Sequence, residues 1–489
     1  MKKYQLALFL TAVLALAGIE LVSASTYSVT VAQANQTQAA GVFYMAPNGD
    51  DTKDGTTIAT AWKTGNHQLS CGAKILVQPG AFLGDQRVVL SVQNTCPGPN
   101  GELYVTVECS GAHVQDCIVD GQGGAAFDVQ SSNWLIKHFT ATSNVHGTGN
   151  GYGACFSAPS DPAHAAAVHH VLFVDIYAHD CVWSGSSSQG DYIAWLGVVL
   201  YHSAFQNHDG GGGCPSNISI INNVNHDTLA GPHLYVNQMF SMKAGTNHTC
   251  VDGHGLIYDG LNTHGYSGLA VIKDSMFLGN GMAGVHHFNS KSVTFHEDHL
   301  TIWGNGQATL AGVVMSDYNF QLSGPAATTN SIIQATVANQ SFDPRATCPN
   351  AAGGPGEPCP MRYAIGDYYE TANISNTDVY APNGQYCWSY GRYGVCPTGL
   401  QYDVMFTGTV NVDPQFVNTA ALPSTAPDCS QKTSVIDCMA PVIAGFKAQN
   451  TTVAGMGYRP PGACAPDADW PTWIPVSLIP DGLVSKPCS

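Results

Sequence analysis

Apolar and β-prone residues in this chain come in short runs that stop at Asn, Gly, Asp or His. Past the first two dozen residues, no long window repeats at helical spacing. The runs include Val42 to Met45, Ile75 to Val77 and Trp134 to Ile136, which leads into His138 to Thr140. Val171 to Val174 leads into Ile176 and Tyr177, and Ile193 to Tyr201 is longer. Ile218 to Ile221, Leu234 to Val236, Leu269 to Ile272, Val293 to Phe295 and Ile332 to Ile333 follow. Phe277-Leu278-Gly279-Asn280-Gly281 is echoed 25 residues later by Ile302-Trp303-Gly304-Asn305-Gly306. Short strands and Gly/Asn turns at a period in the twenties predict a solenoid, each coil stacked on the last. Such a stack offers an open groove, which suits a polymer.

Segments at 146–165, 183–192, 209–214 and 243–251 read as loops projecting from the coils. From about 340, Pro, Gly and Cys become denser and strands harder to see. Four divisions follow: a secretory signal over 1–24, a flexible lead-in over 25–41, the stack over 42–420, and a Cys/Pro-rich cap or wrap over 421–489. The signal is read from basic Lys2 and Lys3, the apolar run from Leu6 to Gly18, and small residues at 22–24. That run is too short for a spanning helix and no later stretch is longer, so no membrane span is expected.

All 16 cysteines follow the signal, and an even number in an exported chain predicts disulfides. Neighbour pairing is expected for Cys109 with Cys117, Cys348 with Cys359, Cys387 with Cys396, and Cys429 with Cys438. The net charge of −17 argues against nucleic acid, and against a polyanionic partner unless cations bridge the two. The 19 histidines outnumber the 17 Lys and Arg together, an excess that calls for an account.

The opening Phe43 to Asp51, then Asp54-Gly55, Trp62 and Val77-Gln78-Pro79-Gly80-Ala81-Phe82, resembles the start of secreted right-handed parallel β-helix (pectin lyase-like) proteins. Asp252 to Asp259 and Asn280 to His286 resemble mid-helix segments of that group, and Asp413-Pro414-Gln415-Phe416 resembles its ending. The resemblance covers roughly 42–420 and implies an all-β, single-stranded right-handed parallel β-helix; the 421–489 tail is not covered by it, and its cysteines and prolines are what suggest a disulfide-rich C-terminal cap. The group includes lyases, hydrolases, epimerases and adhesins, so fold alone does not select an activity. Met282 stands where related segments often carry a basic residue, so no Arg role carries over.

Candidate chemistry gathers around 252–299. Asp252 and His254 are two apart and share a face of an extended segment, with Asp259 closing the motif. Asp209, Asp252 and Asp259 are the candidate Ca²⁺ ligands. Lys273 or His254 is the candidate base for β-elimination beside a uronate carboxylate, and His286 and Glu297 are further acid/base candidates. His233, His287 and Asp298 are candidate substrate-binding residues. The 25-residue shift sets Lys273 over Asp298, so a salt bridge between coils is the alternative for that lysine. The His-Asp pairs at 179–180, 208–209 and 226–227 follow strands and read as a turn ladder.

Three functions remain open: a cation-assisted polysaccharide lyase, a glycoside hydrolase using Asp252 and Glu297, and a non-catalytic glycan-binding β-helix. The expected partner is an extracellular polysaccharide, no organic cofactor is implied, and a monomer is expected.

Overall fold

The computed structural model describes residues 41–94, 96, 104–143, 154–203, 216–227, 229–245, 253–306, 315–335, 362–368, 372–382, 387–389, 394–395, 404–462 and 465–488. At 315–323, 362–363, 366–368, 387–389, 394–395 and 404 it describes backbone alone. The signal, the lead-in up to residue 40, Asp209, Asp252, and the partners Cys348, Cys359 and Cys396 lie outside the described residues.

The chain winds into a right-handed parallel β-helix, with a 16-stranded and an 11-stranded sheet among the described residues. Each coil gives a long strand to the first sheet and a short one to the second. His169–Cys181 is followed by Ser186–Ser188, Asp191–Tyr201 by Ile218–Ile221, and Pro232–Met242 by Leu256–Asp259. Gly268–Leu278, Val285–Ser290 and Val293–Trp303 continue the winding. Pairing between these coils is parallel throughout. The 25-residue echo is one coil: Phe277 lies opposite Ile302, Leu278 opposite Trp303, and Lys273 opposite Asp298.

What reads in sequence as two runs joined by a polar residue is one bent strand. Asp175, Gly197, Gln238, Asp274 and His299 each take a left-handed conformation at the same level of successive coils. One such residue interrupts the two-residue alternation and turns a corner, so apolar side chains on both arms still point inward. Phe173, Trp195, Ile272, Phe295 and Ile302 fill the interior with their neighbours. Burying one such Phe contributes roughly 1.5–3 kcal/mol. At the Asn-Gly turns the interior satisfies its own polar groups. Asn305 Oδ1 accepts from the Asn280 backbone (2.9 Å) and side-chain amide (2.8 Å), and Asn217 reaches Asn280 Oδ1 at 3.4 Å.

The stack does not fade at 340. Strands Arg362–Tyr368, Ala372–Ser375, Asp378–Tyr380 and Val404–Thr407 continue it. Residues beyond 413 then run along the outer face of the first sheet. Cys429, Val435, Met439, Phe446, Trp473 and Leu483 pack there against Leu172, Tyr177, Tyr235 and Phe240. This wrap holds a helix that periodicity did not reveal, Val435–Gly445. It has only 11 residues and carries Pro441 inside. Ser434 caps its start by accepting from the Asp437 N–H.

The described disulfides join Cys71 with Cys96, Cys109 with Cys117, Cys155 with Cys181, and Cys429 with Cys438. Two of these are the expected neighbour pairs. Cys155 and Cys181 instead lie one coil apart, a separation of 26 residues. Among the described residues, no helix is long and apolar enough to cross a membrane.

Candidate functional site

A group of perturbed ionisable side chains lies where three consecutive long strands begin, at His169, Asp191 and Pro232. Asp191 is its centre and is fully buried. Its Oδ1 accepts from His233 Nδ1 (2.9 Å), the Tyr266 hydroxyl (2.7 Å) and the Tyr192 N–H (2.9 Å). Its Oδ2 accepts from the His226 N–H at 2.8 Å. Four donors thus converge on one buried carboxylate, the arrangement of charge-assisted hydrogen bonding.

His170 and Tyr192, in adjacent coils, both take left-handed backbone (φ 56° and 50°). Each such residue costs of order 1–3 kcal/mol, and neither is glycine. The departure sets the two rings against each other, centroids 4.7 Å apart, with His170 also against Trp473 of the wrap. The rings continue as a chain. His226 stacks on His169 at 3.6 Å, His169 meets His170 at 5.0 Å, and Tyr192 stacks on His233 at 4.5 Å. His169 and His170 share a hydrogen bond between their Nδ1 atoms at 2.8 Å. The Tyr192 hydroxyl donates to Asp227 and accepts from the Leu229 N–H.

These neighbours push the imidazoles apart in proton affinity. Burial, then the nearby His226, lowers His169 to about 4. Burial, then His169, lowers His170 to about 3. Burial also opposes charge on His233, but the hydrogen bond and charge of Asp191 outweigh it, and the net shift is upward. Tyr192 is raised far above an ordinary phenol, by burial first and Asp227 next, so it remains a donor. The cluster therefore sets two imidazoles whose proton affinity is lowered beside one whose affinity is raised, the separation that acid/base chemistry uses.

The close approach at His233 has a backbone cause. A Cβ on Gly268, whose φ is +122°, would stand 2.8 Å from His233 Cδ2 and 3.1 Å from Nε2. Gly268→Ala is expected to displace the ring and destabilise the fold by about 1–3 kcal/mol. A urea midpoint unchanged from wild type would show that the ring has room to move.

The other expected residues fall in three places. His254 and His286 meet beside the second sheet, His286 Nδ1 lying 3.1 Å from His254 Nε2. His254 Nδ1 accepts from the Ala283 N–H, so its proton sits on Nε2 and is donated to His286. His287 and Glu297 meet at 2.9 Å inside the stack, with Thr328 donating to the other Glu297 oxygen. Lys273 faces outward and is bound by the wrap, 2.6 Å from Asp467 and 3.7 Å from Asp469. The register with Asp298 is as the repeat predicts, but the ion pair is with the wrap. Burial would raise the Asp298 carboxyl; hydrogen bonds from His299, Thr329 and Asn330 outweigh it and hold it well below the usual range. Asp259 ends the strand Leu256–Asp259, and its carbonyl accepts from the Asn222 N–H. Of the candidate Ca²⁺ ligands it alone is described. Among the described residues, no three His, Cys, Asp or Glu side chains gather as ligands would around a metal ion.

Of the expected residues, only His233 belongs to the Asp191 cluster. Sequence reasoning missed Asp191, Tyr192, His169, His170 and Tyr266, and read His226-Asp227 as a turn ladder. The available signal was the doublet His169-His170 at a strand start, with Asp191-Tyr192 opening the run Ile193 to Tyr201.

No family model and no curated protein sequence matches the chain. Among solved structures it is similar to a pectate lyase (13% identity, 60% of this chain and 78% of that chain, TM-score 0.31). It is also similar to a rhamnogalacturonan lyase (13% identity, 79% and 95%, TM-score 0.36). An alginate lyase from Paenibacillus sp. gives 12% identity, 70% and 93%, and a TM-score of 0.36. These likenesses concern the fold, and no activity follows from them.

Proposed function

We propose that the protein acts on an extracellular uronate-containing polysaccharide and cleaves it by β-elimination, with Asp191 and His233 as the proton-transfer unit. The observation that supports this is the 2.9 Å hydrogen bond between His233 Nδ1 and the buried Asp191 carboxylate. It fixes the tautomer and leaves Nε2 as the atom that exchanges protons, the base-and-orienter arrangement of nucleophilic enzymes used here without a nucleophile. In β-elimination, His233 Nε2 takes the proton from the carbon beside the sugar carboxylate. The pair left by that proton forms the double bond of the unsaturated end as the bond to the leaving sugar oxygen breaks, and that oxygen takes a proton from water or from the His233 imidazolium and departs as a hydroxyl.

Hydrolysis is less well served at this site. It needs two carboxylates facing each other across a glycosidic bond. Here Asp191 is buried under four donors, and Asp227 is engaged by Tyr192 and the Leu229 N–H. Asp191 is not available to protonate or attack a sugar, and Asp227 alone does not make the pair.

The test is incubation of the protein with a panel of uronate and neutral polysaccharides, with Ca²⁺ and with chelator. New ultraviolet absorbance from unsaturated uronate ends is expected, falling about 10²–10⁴-fold in His233→Ala. Reducing ends without that absorbance would assign a hydrolase. Full elimination activity in His233→Ala would remove this site from the reaction.

A further inference from the structure

Trp473 belongs to the wrap, yet the residue is only 1% exposed at the edge of the histidine cluster. It meets His170 edge-on (5.8 Å, 87°) and Tyr192 edge-on (5.7 Å, 72°). Its indole N–H donates to the carbonyl of Pro232 at 2.7 Å, one residue before His233. Its own carbonyl accepts from the Tyr104 hydroxyl at 2.8 Å, several coils away. The preceding residues are tied down as well. Asp467 pairs with Lys273, and Trp470 packs edge-on against Tyr235 at 5.7 Å. The run 467–473 is thus a strap held at three places, with Trp473 as the end that touches the cluster.

We propose that this strap governs the Asp191 cluster, with Trp473 as a positioning residue that holds His170 dry and His233 in place. The proposal rests on the reading of Asp191 and His233 as the proton-transfer unit for its consequence in catalysis, but not for its physical content. The chain of effects is short. The indole excludes water from His170, and a dry imidazole stays neutral. With water admitted, His170 gains a proton more readily. A charged His170 then stands one ring away from His233, with Tyr192 between them, and opposes protonation there. Asp227, His169 and His226 also face His170, and Asp191 and Asp227 face His233; none of these belongs to the strap. Docking of the wrap thereby sets the protonation state of a pair whose ligands all come from the stack.

The experiment is a proton-NMR titration of the full chain with labelled histidine, assigned by His170→Gln and His233→Gln. It compares wild type with Trp473→Ala, Trp473→Phe and Lys273→Met. Trp473→Ala is expected to move the His170 midpoint from about 3 toward the ordinary imidazole value of about 6.5, and the His233 midpoint downward. Trp473→Phe keeps a ring but loses the bond to Pro232, and should give a smaller shift in the same direction. Lys273→Met releases the strap at a distance and should shift both midpoints the same way. Elimination rates should fall about tenfold or more in kcat, with KM changed less. Unmoved His170 and His233 midpoints in the folded Trp473→Phe and Lys273→Met proteins would overturn the proposal, even if Trp473→Ala fails to fold. Moved midpoints in a protein without elimination activity would support the strap and dismiss the lyase reading instead.

Discussion

Asp191→Asn is expected to destabilise the protein by about 3–5 kcal/mol and to reduce elimination at least a hundredfold. The carboxylate receives His233, Tyr266 and the Tyr192 N–H on one oxygen and the His226 N–H on the other. An asparagine offers one oxygen and one N–H₂ in the same shape. Whichever way the amide turns, its donors face at least one protein donor. Leaving one such buried group unsatisfied costs about 1–3 kcal/mol, and losing the charge opposite His233 adds to it. The raised His233 affinity depends on that charge, so the histidine midpoint should fall in the same variant. Urea unfolding with an unchanged slope measures the first effect, and a loss under about 1 kcal/mol would contradict the central place given to this residue.

Asp378→Asn should act in the opposite direction. Asp378 is fully buried where the stack gives way to the wrap. One oxygen accepts from the Val412 N–H at 3.1 Å, and the other, Oδ2, has no partner among the described residues. Burial, and then the nearby Asp413, pushes the carboxyl up to about 7. The sign follows from linkage. Below about pH 4 the group is protonated both folded and unfolded, and costs nothing. Between about pH 4 and 7 the unfolded chain loses the proton first, and the folded state pays increasingly. Above pH 7 the cost is constant, roughly 4 kcal/mol at about 1.4 kcal/mol per pH unit. Asparagine keeps an acceptor for Val412 without the charge. It should therefore stabilise the protein by about 2–4 kcal/mol at pH 8 and hardly at all at pH 4. A gain that is the same at both pH values would mean that charge is not its source.

The stack was legible because its rules are local. Gly279 and Gly304 are both left-handed, Asn280 and Asn305 bond to each other, and a shift of 25 residues lays one coil on the next. The bends were not legible as bends. Asp175, Gln238, Asp274 and His299 are polar residues inside apolar runs, and only their conformation shows that the strand continues beyond them. The candidate site was harder still. Its members come from positions 169, 191, 226, 233, 266 and 473, whose separations follow no period, because loops between coils vary in length. The partner of Lys273 illustrates the same limit. Register placed Asp298 beside it correctly, but Asp467 is 194 residues away and arrives from outside the repeat. Periodicity encodes what each coil does to its neighbour, and carries nothing about a segment that crosses many coils.

That crossing segment also bears on how such a chain can change. Tyr104 holds Trp473, Gln115 holds Cys429, Tyr177 and Tyr201 hold Pro427 and Pro423, and Thr301 and Asn330 hold the backbone at Tyr458 and Gly457. The anchors are spread over several coils, Tyr104 and Gln115 sharing one, and coils are spaced by about 4.8 Å. Duplicating or deleting a coil, the simplest way for a repetitive stack to grow or shrink, would move every later anchor by that distance. The wrap is thus a ruler laid along the stack. Loops at the turns are free to vary in length, but the number of coils between Tyr104 and Asn330 is fixed by a segment that belongs to none of them.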